Sequence, residues 1–127
     1  MFDYHCHSHF SNDCSEKMED MIKSAIEKGI KEICFTDHVD YDYKDDSISF
    51  EIDEAEYLRS MAYFQGEYGQ HIKILKGLEL GLQPHVLAQC SALVERIKPD
   101  FVIGSTHTCN ELDLYNGDYY LGKTGQE

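Results

Sequence analysis

Four short runs of strand-forming residues, each followed by loop or helix-like spacing, divide the chain and constrain its fold more than any other feature. Near the start, Phe2, Tyr4 and Cys6 alternate with Asp3, His5 and His7. This period of two suits a short strand and sets His5 and His7 on one face. From Ser15 the period lengthens. Met18, Met21, Ile22, Ala25 and Ile26 predict a helix capped by Ser15 and stopped at Gly29. A second strand is predicted over 31–38. Residues 39–50 are polar, acidic and tyrosine-rich, which predicts a loop. Helical spacing resumes at Asp53, with Glu56 in a capping-box arrangement and Tyr57, Leu58 and Met61 as the apolar stripe. A third strand is expected over 72–80. Pro84 then opens a third helix, with Val86, Leu87, Cys90, Leu93, Val94 and Ile97 at helical spacing until Pro99, and a fourth strand follows over 100–107. Strands alternating with helices predict an α/β chain of about four βα units in a parallel sheet or barrel, the last unit unfinished.

Composition narrows what such a fold can do. The 127 residues carry 11 Lys+Arg against 24 Asp+Glu, a formal net charge of −13. Binding to a nucleic-acid backbone needs clustered basic residues, and the sequence has none, so nucleic acid is excluded as a partner. Any phosphate-bearing ligand would need cations from outside the chain. The five cysteines, Cys6, Cys14, Cys34, Cys90 and Cys109, are odd in number and form no C-x-x-C pair. With no apolar window long enough for a membrane span and no targeting segment before the first strand, the expected setting is the reducing cytoplasm.

The polar residues then fall into a pattern. His5 and His7 end the first predicted strand, Asp37 and His38 the second, Glu79 the third, and His107 follows the fourth. Strand carboxyl ends share one rim in βα folds, and active sites are built there. Imidazole and carboxylate suit divalent zinc, manganese or iron. With Asp13 from the first loop, the set His5, His7, Asp13, His38, Glu79 and His107 is too large for one tetrahedral ion and predicts a multinuclear centre that activates water and clamps phosphate oxygens. Asp37 is expected to orient His38 from behind. His9 and His85 are candidate substrate contacts, His71 a surface residue, and Cys6 and Cys109 either nucleophiles or small buried side chains. The run Asp40, Asp42, Asp45 and Asp46 lacks the glycine and final glutamate of a calcium loop and reads as solvated. Arg59 and Arg96 read as surface residues within helices.

The segments D-Y-H-C-H-S-H-F-S-N-D, F-T-D-H, G-L-E-L-G-L-Q-P-H and F-V-I-G-S-T-H resemble the successive motifs of the PHP (polymerase and histidinol phosphatase) superfamily, most of all its histidinol-phosphate phosphatases. The resemblance runs from about residue 2 to residue 122 and implies the amino-terminal part of a distorted (β/α)7 TIM-like barrel, incomplete at its carboxyl end. It implies two or three divalent ions at the rim. His5 and His7 would bind the first, Glu79 would bridge the first and second with catalytic effect, His107 would serve the second, and Asp13 with His38 the third. The implied substrate is a small phosphorylated molecule, histidinol phosphate, hydrolysed late in histidine biosynthesis. Other phosphate esters, or a non-catalytic remnant that binds metal or a partner, are the alternatives. An open half-barrel would also be free to self-associate.

Overall fold

The computed structural model describes residues 1–44, 49–110, 112–115 and 117–124. Strands β1 (Phe2–Cys6), β2 (Glu32–Phe35), β3 (His38–Val39), β4 (Lys73–Gly81) and β5 (Phe101–Ser105) pair in parallel, interleaved with helices α1 (Met18–Glu27), α2 (Glu54–Tyr68) and α3 (Leu87–Ile97). A small antiparallel pair, β6 (Thr108–Cys109) and β7 (Leu112–Asp113), follows. No helix among the described residues is long and apolar enough to cross a membrane.

The predicted second strand is split in two. Its register is nevertheless unbroken: Glu32 faces Lys73 and His38 faces Glu79, so β2 and β3 run along the same edge of β4 with the same offset. The gap at Thr36 and Asp37 is filled from α2. The buried Tyr57 hydroxyl accepts from the Gly77 backbone N–H at 3.3 Å and lies 3.1 Å from the Phe35 carbonyl and 2.7 Å from that of Gly77. A side chain thus stands in for a missing ladder bond. Beyond the gap, Glu79 N–H donates to the Asp37 carbonyl at 3.0 Å and pairing resumes.

Counting β2 and β3 as one line, the strands lie side by side in chain order, as they do in a barrel wall. Each intervening helix packs its apolar stripe onto the sheet. Met18, Ile22 and Ala25 from α1, Tyr57 and Met61 from α2, and Cys90, Leu93 and Ile97 from α3 join Ile33, Phe35, Ile74, Leu78 and Leu80 in one core. Across the sheet, the rings of Tyr4 on β1 and Phe101 on β5 meet edge to face at 5.2 Å although their strands do not pair. The sheet is therefore curled, and the fold is an arc of a TIM-like barrel.

Helix ends refine the sequence reading. Gly29 stops α1 as expected. With φ 71° it allows Gly29 N–H to bond Ile26 O and Ile30 N–H to bond Ala25 O, the paired bonds of a Schellman stop. Asp53 caps α2 by accepting from Glu56 N–H at 2.9 Å. Two expectations are corrected. Helix α1 begins after Lys17 with no side-chain cap, so Ser15 lies ahead of the helix, not at its cap. Pro84 sits in a turn closed by Val86 N–H to Gln83 O, and α3 starts only at Leu87.

Candidate metal centre

The curl of the sheet carries the ends of β1, β3, β4 and β5 to one rim, around a cavity of about 770 Å³. His5, His7, Asp13, His38, Glu79 and His107 all line it, so the six donors read from the sequence are brought together. Glu79 lies at the centre. It is the seventh residue of the nine in β4, two short of the strand end where it was expected. Its side chain divides the donors: Oε2 lies 2.9 Å from His5 Nε2 and 2.7 Å from His7 Nε2, while Oε1 lies 3.2 Å from His107 Nε2 and accepts from Ser105 Oγ at 2.6 Å. Burial alone would raise its pKa. Hydrogen bonds from Ser105 and His5 and the nearby histidines outweigh burial and hold it at about 2, so the group is an anion.

A second set surrounds Asp13. Its carboxylate lies 3.1 Å from His7 Nδ1 and 3.6 Å from His38 Nδ1. His38 is 8% exposed, and its Nδ1 is the one buried side-chain polar atom among the described residues that lacks a hydrogen-bond partner. An orphaned, buried nitrogen turned toward a carboxylate fits a cation between them. The spacings agree. Zinc–ligand bonds of about 2.0–2.2 Å place neighbouring donors of a tetrahedral shell roughly 3.3 Å apart. Three groups of donors each lie within 4.8 Å of one another: His5, His7 and Glu79; His7, Asp13 and His38; and His38, Asp40 and His107.

Asp40 corrects the reading of residues 40–46 as a solvated loop. It is 6% exposed and lies 2.8 Å from His38 Nε2 and 3.0 Å from His107 Nδ1. Burial pushes its pKa up, but the bonds from His107 and His38 prevail and hold it at about 2; the Asp40 bond in turn raises His107. Asp42, in contrast, is exposed and pairs with His85. Asp45 and Asp46 lie outside the described residues. Ser105 was likewise not anticipated, although period-two alternation places it on the face of His107.

Asp37, His9, His85 and Cys6 do not line the cavity. Asp37 does not touch the His38 ring. It is fully buried away from the cavity and accepts from Ser8 N–H at 2.6 Å, Ser8 Oγ at 3.0 Å and Ser11 Oγ at 3.1 Å. Burial raises its pKa against those bonds. Its reach to His38 is indirect: Ser11 Oγ also accepts the His38 backbone N–H at 2.7 Å, so Asp37 fastens the loop after β1 to the start of β3. His9 lies outside the cavity lining, its ring 4.4 Å from that of Phe10. His85 also lies outside, drawn to Asp42 at 2.9 Å. Cys6 is unsuited to be a nucleophile, since burial and then an Asp3 hydrogen bond push its thiol to about 12.

Known proteins share this fold. A family model described as PHP domain matches residues 3–127. The histidinol-phosphatase of Lactococcus lactis is 35% identical over 126 residues, a match that covers 98% of this chain and 46% of the relative. A probable histidinol-phosphatase of Clostridium acetobutylicum is 31% identical over 130 residues, covering 100% of this chain and 47% of the relative. The crystal structure of the Lactococcus lactis histidinol phosphate phosphatase, complexed with zinc, L-histidinol and phosphate, superposes with a TM-score of 0.90 at 35% identity, over 97% of this chain and 46% of that one. The chain therefore spans about half the length of the relatives it matches.

Proposed function

The chain belongs to the PHP domain family, and from that premise we propose that its rim is the metal-binding part of a phosphatase that hydrolyses histidinol phosphate to histidinol and phosphate, the late step of histidine biosynthesis. The observation that carries this reading is the division of Glu79, one carboxylate oxygen toward His5 and His7 and the other toward His107. A carboxylate so placed suits two ions, with His5 and His7 serving one and His107 the other. Asp13 and His38 would hold a third. Zinc, which the Lactococcus lactis relative binds, fits the donors, as do manganese and iron. Divalent ions there supply polarisation of phosphoryl oxygens and acidification of water.

The chain's own residues prepare this chemistry. Ser105 and the histidines keep Glu79 ionised at pH 7 despite burial. Asp37, through Ser8 and Ser11, holds the loop that carries Asp13 against β3. Tyr43, Phe50 and Tyr115 form an apolar flank of the cavity suited to the organic part of a small substrate. The cations also reconcile a −13 chain with an anionic ligand, since they reverse the charge where phosphate would bind. All five cysteines are free, which suits the cytoplasm. The outer edges of β1 and β5 have no strand partner among the described residues, and we include self-association along them in the proposal.

Phosphate release from histidinol phosphate with added zinc tests the reading. Turnover that is abolished by a chelator and by His7→Ala is expected. Chelator-resistant turnover would overturn it, and tight zinc binding without turnover of any phosphomonoester would favour a metal-binding module without catalysis.

A further inference from the structure

Parallel strands exchange evenly spaced backbone bonds, and the ladder between β1 and the β2–β3 line stops one step short of the rim. Its last bond runs from Thr36 N–H to Cys6 O at 2.8 Å. In an unbroken ladder the next two would run from Ser8 N–H to Thr36 O and from His38 N–H to Ser8 O. Side chains take both donors instead. Ser8 N–H donates to Asp37 Oδ1 at 2.6 Å, and His38 N–H donates to Ser11 Oγ at 2.7 Å. The chain leaves the ladder there and folds through two turns, Ser11 N–H to Ser8 O at 2.9 Å and Cys14 N–H to Ser11 O at 3.2 Å. Ser11 belongs to both turns, and Asp13 lies within the second.

We propose that Ser11 is a positioning residue for one ion alone: its hydroxyl, anchored on Asp37, sets the gap between Asp13 and His38 and so the hold on the ion between them. This rests on the reading of the rim as a metal centre. A backbone N–H can only donate, so the buried Ser11 hydroxyl accepts from His38 and gives its one proton to Asp37 Oδ1, 3.1 Å away. Asp37 is buried and tied in turn to Ser8, so the anchor is fixed from the β1 side. One oxygen thus grips the backbone of His38 and, two residues on, the turn that carries Asp13. Facing Asp13 is His38 Nδ1, buried without a hydrogen-bond partner and 3.6 Å from the Asp13 carboxylate. The donors around Glu79 are placed by other means. His5 stands on β1, and Glu79 stands on β4 with its carboxylate held by Ser105. Without the Ser11 hydroxyl, His38 N–H loses its acceptor and the turn its tie to Asp37, so Asp13 moves while Glu79 keeps its partners.

The test is zinc titration of the full chain in competition with a chromophoric chelator, with stoichiometry from equilibrium dialysis. In Ser11→Ala one zinc should bind about 10- to 100-fold more weakly, with the others unchanged. Asp37→Asn leaves Ser11 in place but offers one acceptor oxygen where two serve the Ser8 and Ser11 donors, and should weaken the same zinc. Ser8→Ala keeps the Ser8 N–H bond to Asp37 and should weaken it less. The decisive comparison is made in an Asp13→Ala background, which lacks that site: there Ser11→Ala should cause no further loss, whereas a merely structural role would still weaken the remaining zinc. Equal weakening of every zinc, a further loss on top of Asp13→Ala, or no change in either Ser11→Ala or Asp37→Asn would overturn the proposal and leave the metal centre standing. A chain that holds no zinc would overturn both.

Discussion

Replacing Tyr57 by Phe removes a single oxygen from the core and isolates the contribution of the break in the second strand. The hydroxyl lies between the Phe35 carbonyl and the Gly77 N–H, at 3.1 and 3.3 Å, in a side chain with no exposed surface. Phenylalanine fills nearly the same volume, so no large cavity term arises. What remains are two buried backbone groups without partners, at about 1–3 kcal/mol each. A loss of about 2–6 kcal/mol follows, a large share of the 5–15 kcal/mol typical of a domain's total stability. An unfolding entropy of roughly 2.1 cal/mol/K per residue then converts this into a Tm lower by roughly 7–22 °C. Urea denaturation followed by circular dichroism measures the free energy directly, and Tyr63→Phe on the exposed side of the same helix serves as control, expected to stay within about 0.5 kcal/mol. A Tyr57→Phe change no larger than the control would refute the view that a side chain bridges the broken ladder.

Other perturbations separate the remaining parts of the account. The Tyr4 hydroxyl donates to the Glu32 carboxylate, a bond that raises Tyr4 to about 12 and lowers Glu32. For Tyr4 the contribution is complete below its unfolded value near 10 and is lost as pH rises through about 12; for Glu32 it is complete above the unfolded carboxylate value and lost as pH falls through the lowered one. Tyr4→Phe should therefore flatten the stability profile at both ends, as read from urea midpoints across pH. Gly29→Ala forces a side chain into the left-handed conformation that ends α1 and should cost about 1–2 kcal/mol in the same assay, with no effect on zinc binding. Ser105→Ala removes the 2.6 Å bond to Glu79 Oε1 and should reduce zinc affinity by about 10-fold in calorimetry while leaving the urea midpoint nearly unchanged.

Much of this molecule was legible in its sequence because both periodicity and strand ends are local signals. The alternation of Phe2, Tyr4 and Cys6 with His5 and His7, and the helical stripe of Met18, Ile22 and Ala25, follow from backbone geometry and hold in the fold. The six donors converge because parallel βα units place like ends together. What escaped was decided by contacts between distant residues. Asp40 follows His38 at the same spacing that pairs His5 with His7, a signal hidden by the acidic composition of its loop. Tyr57 reads as one more apolar residue on a stripe, and only the sheet gap beneath its hydroxyl reveals its polar role. Asp37 stands beside His38 in sequence, yet its carboxylate and the His38 ring lie on opposite faces of the strand, so adjacency misled. The contacts of His9 with Phe10 and of His85 with Asp42 likewise carry no local signal in the sequence.

The central claim, that Glu79 divides its carboxylate between two ion sites, is tested most directly by zinc stoichiometry after equilibrium dialysis, compared between the chain and Glu79→Ala. The account predicts more than one tightly held zinc per chain and a loss at both the His5–His7 and the His107 sites in the variant. A chain that holds no zinc, or a stoichiometry that Glu79→Ala leaves unchanged, would contradict it.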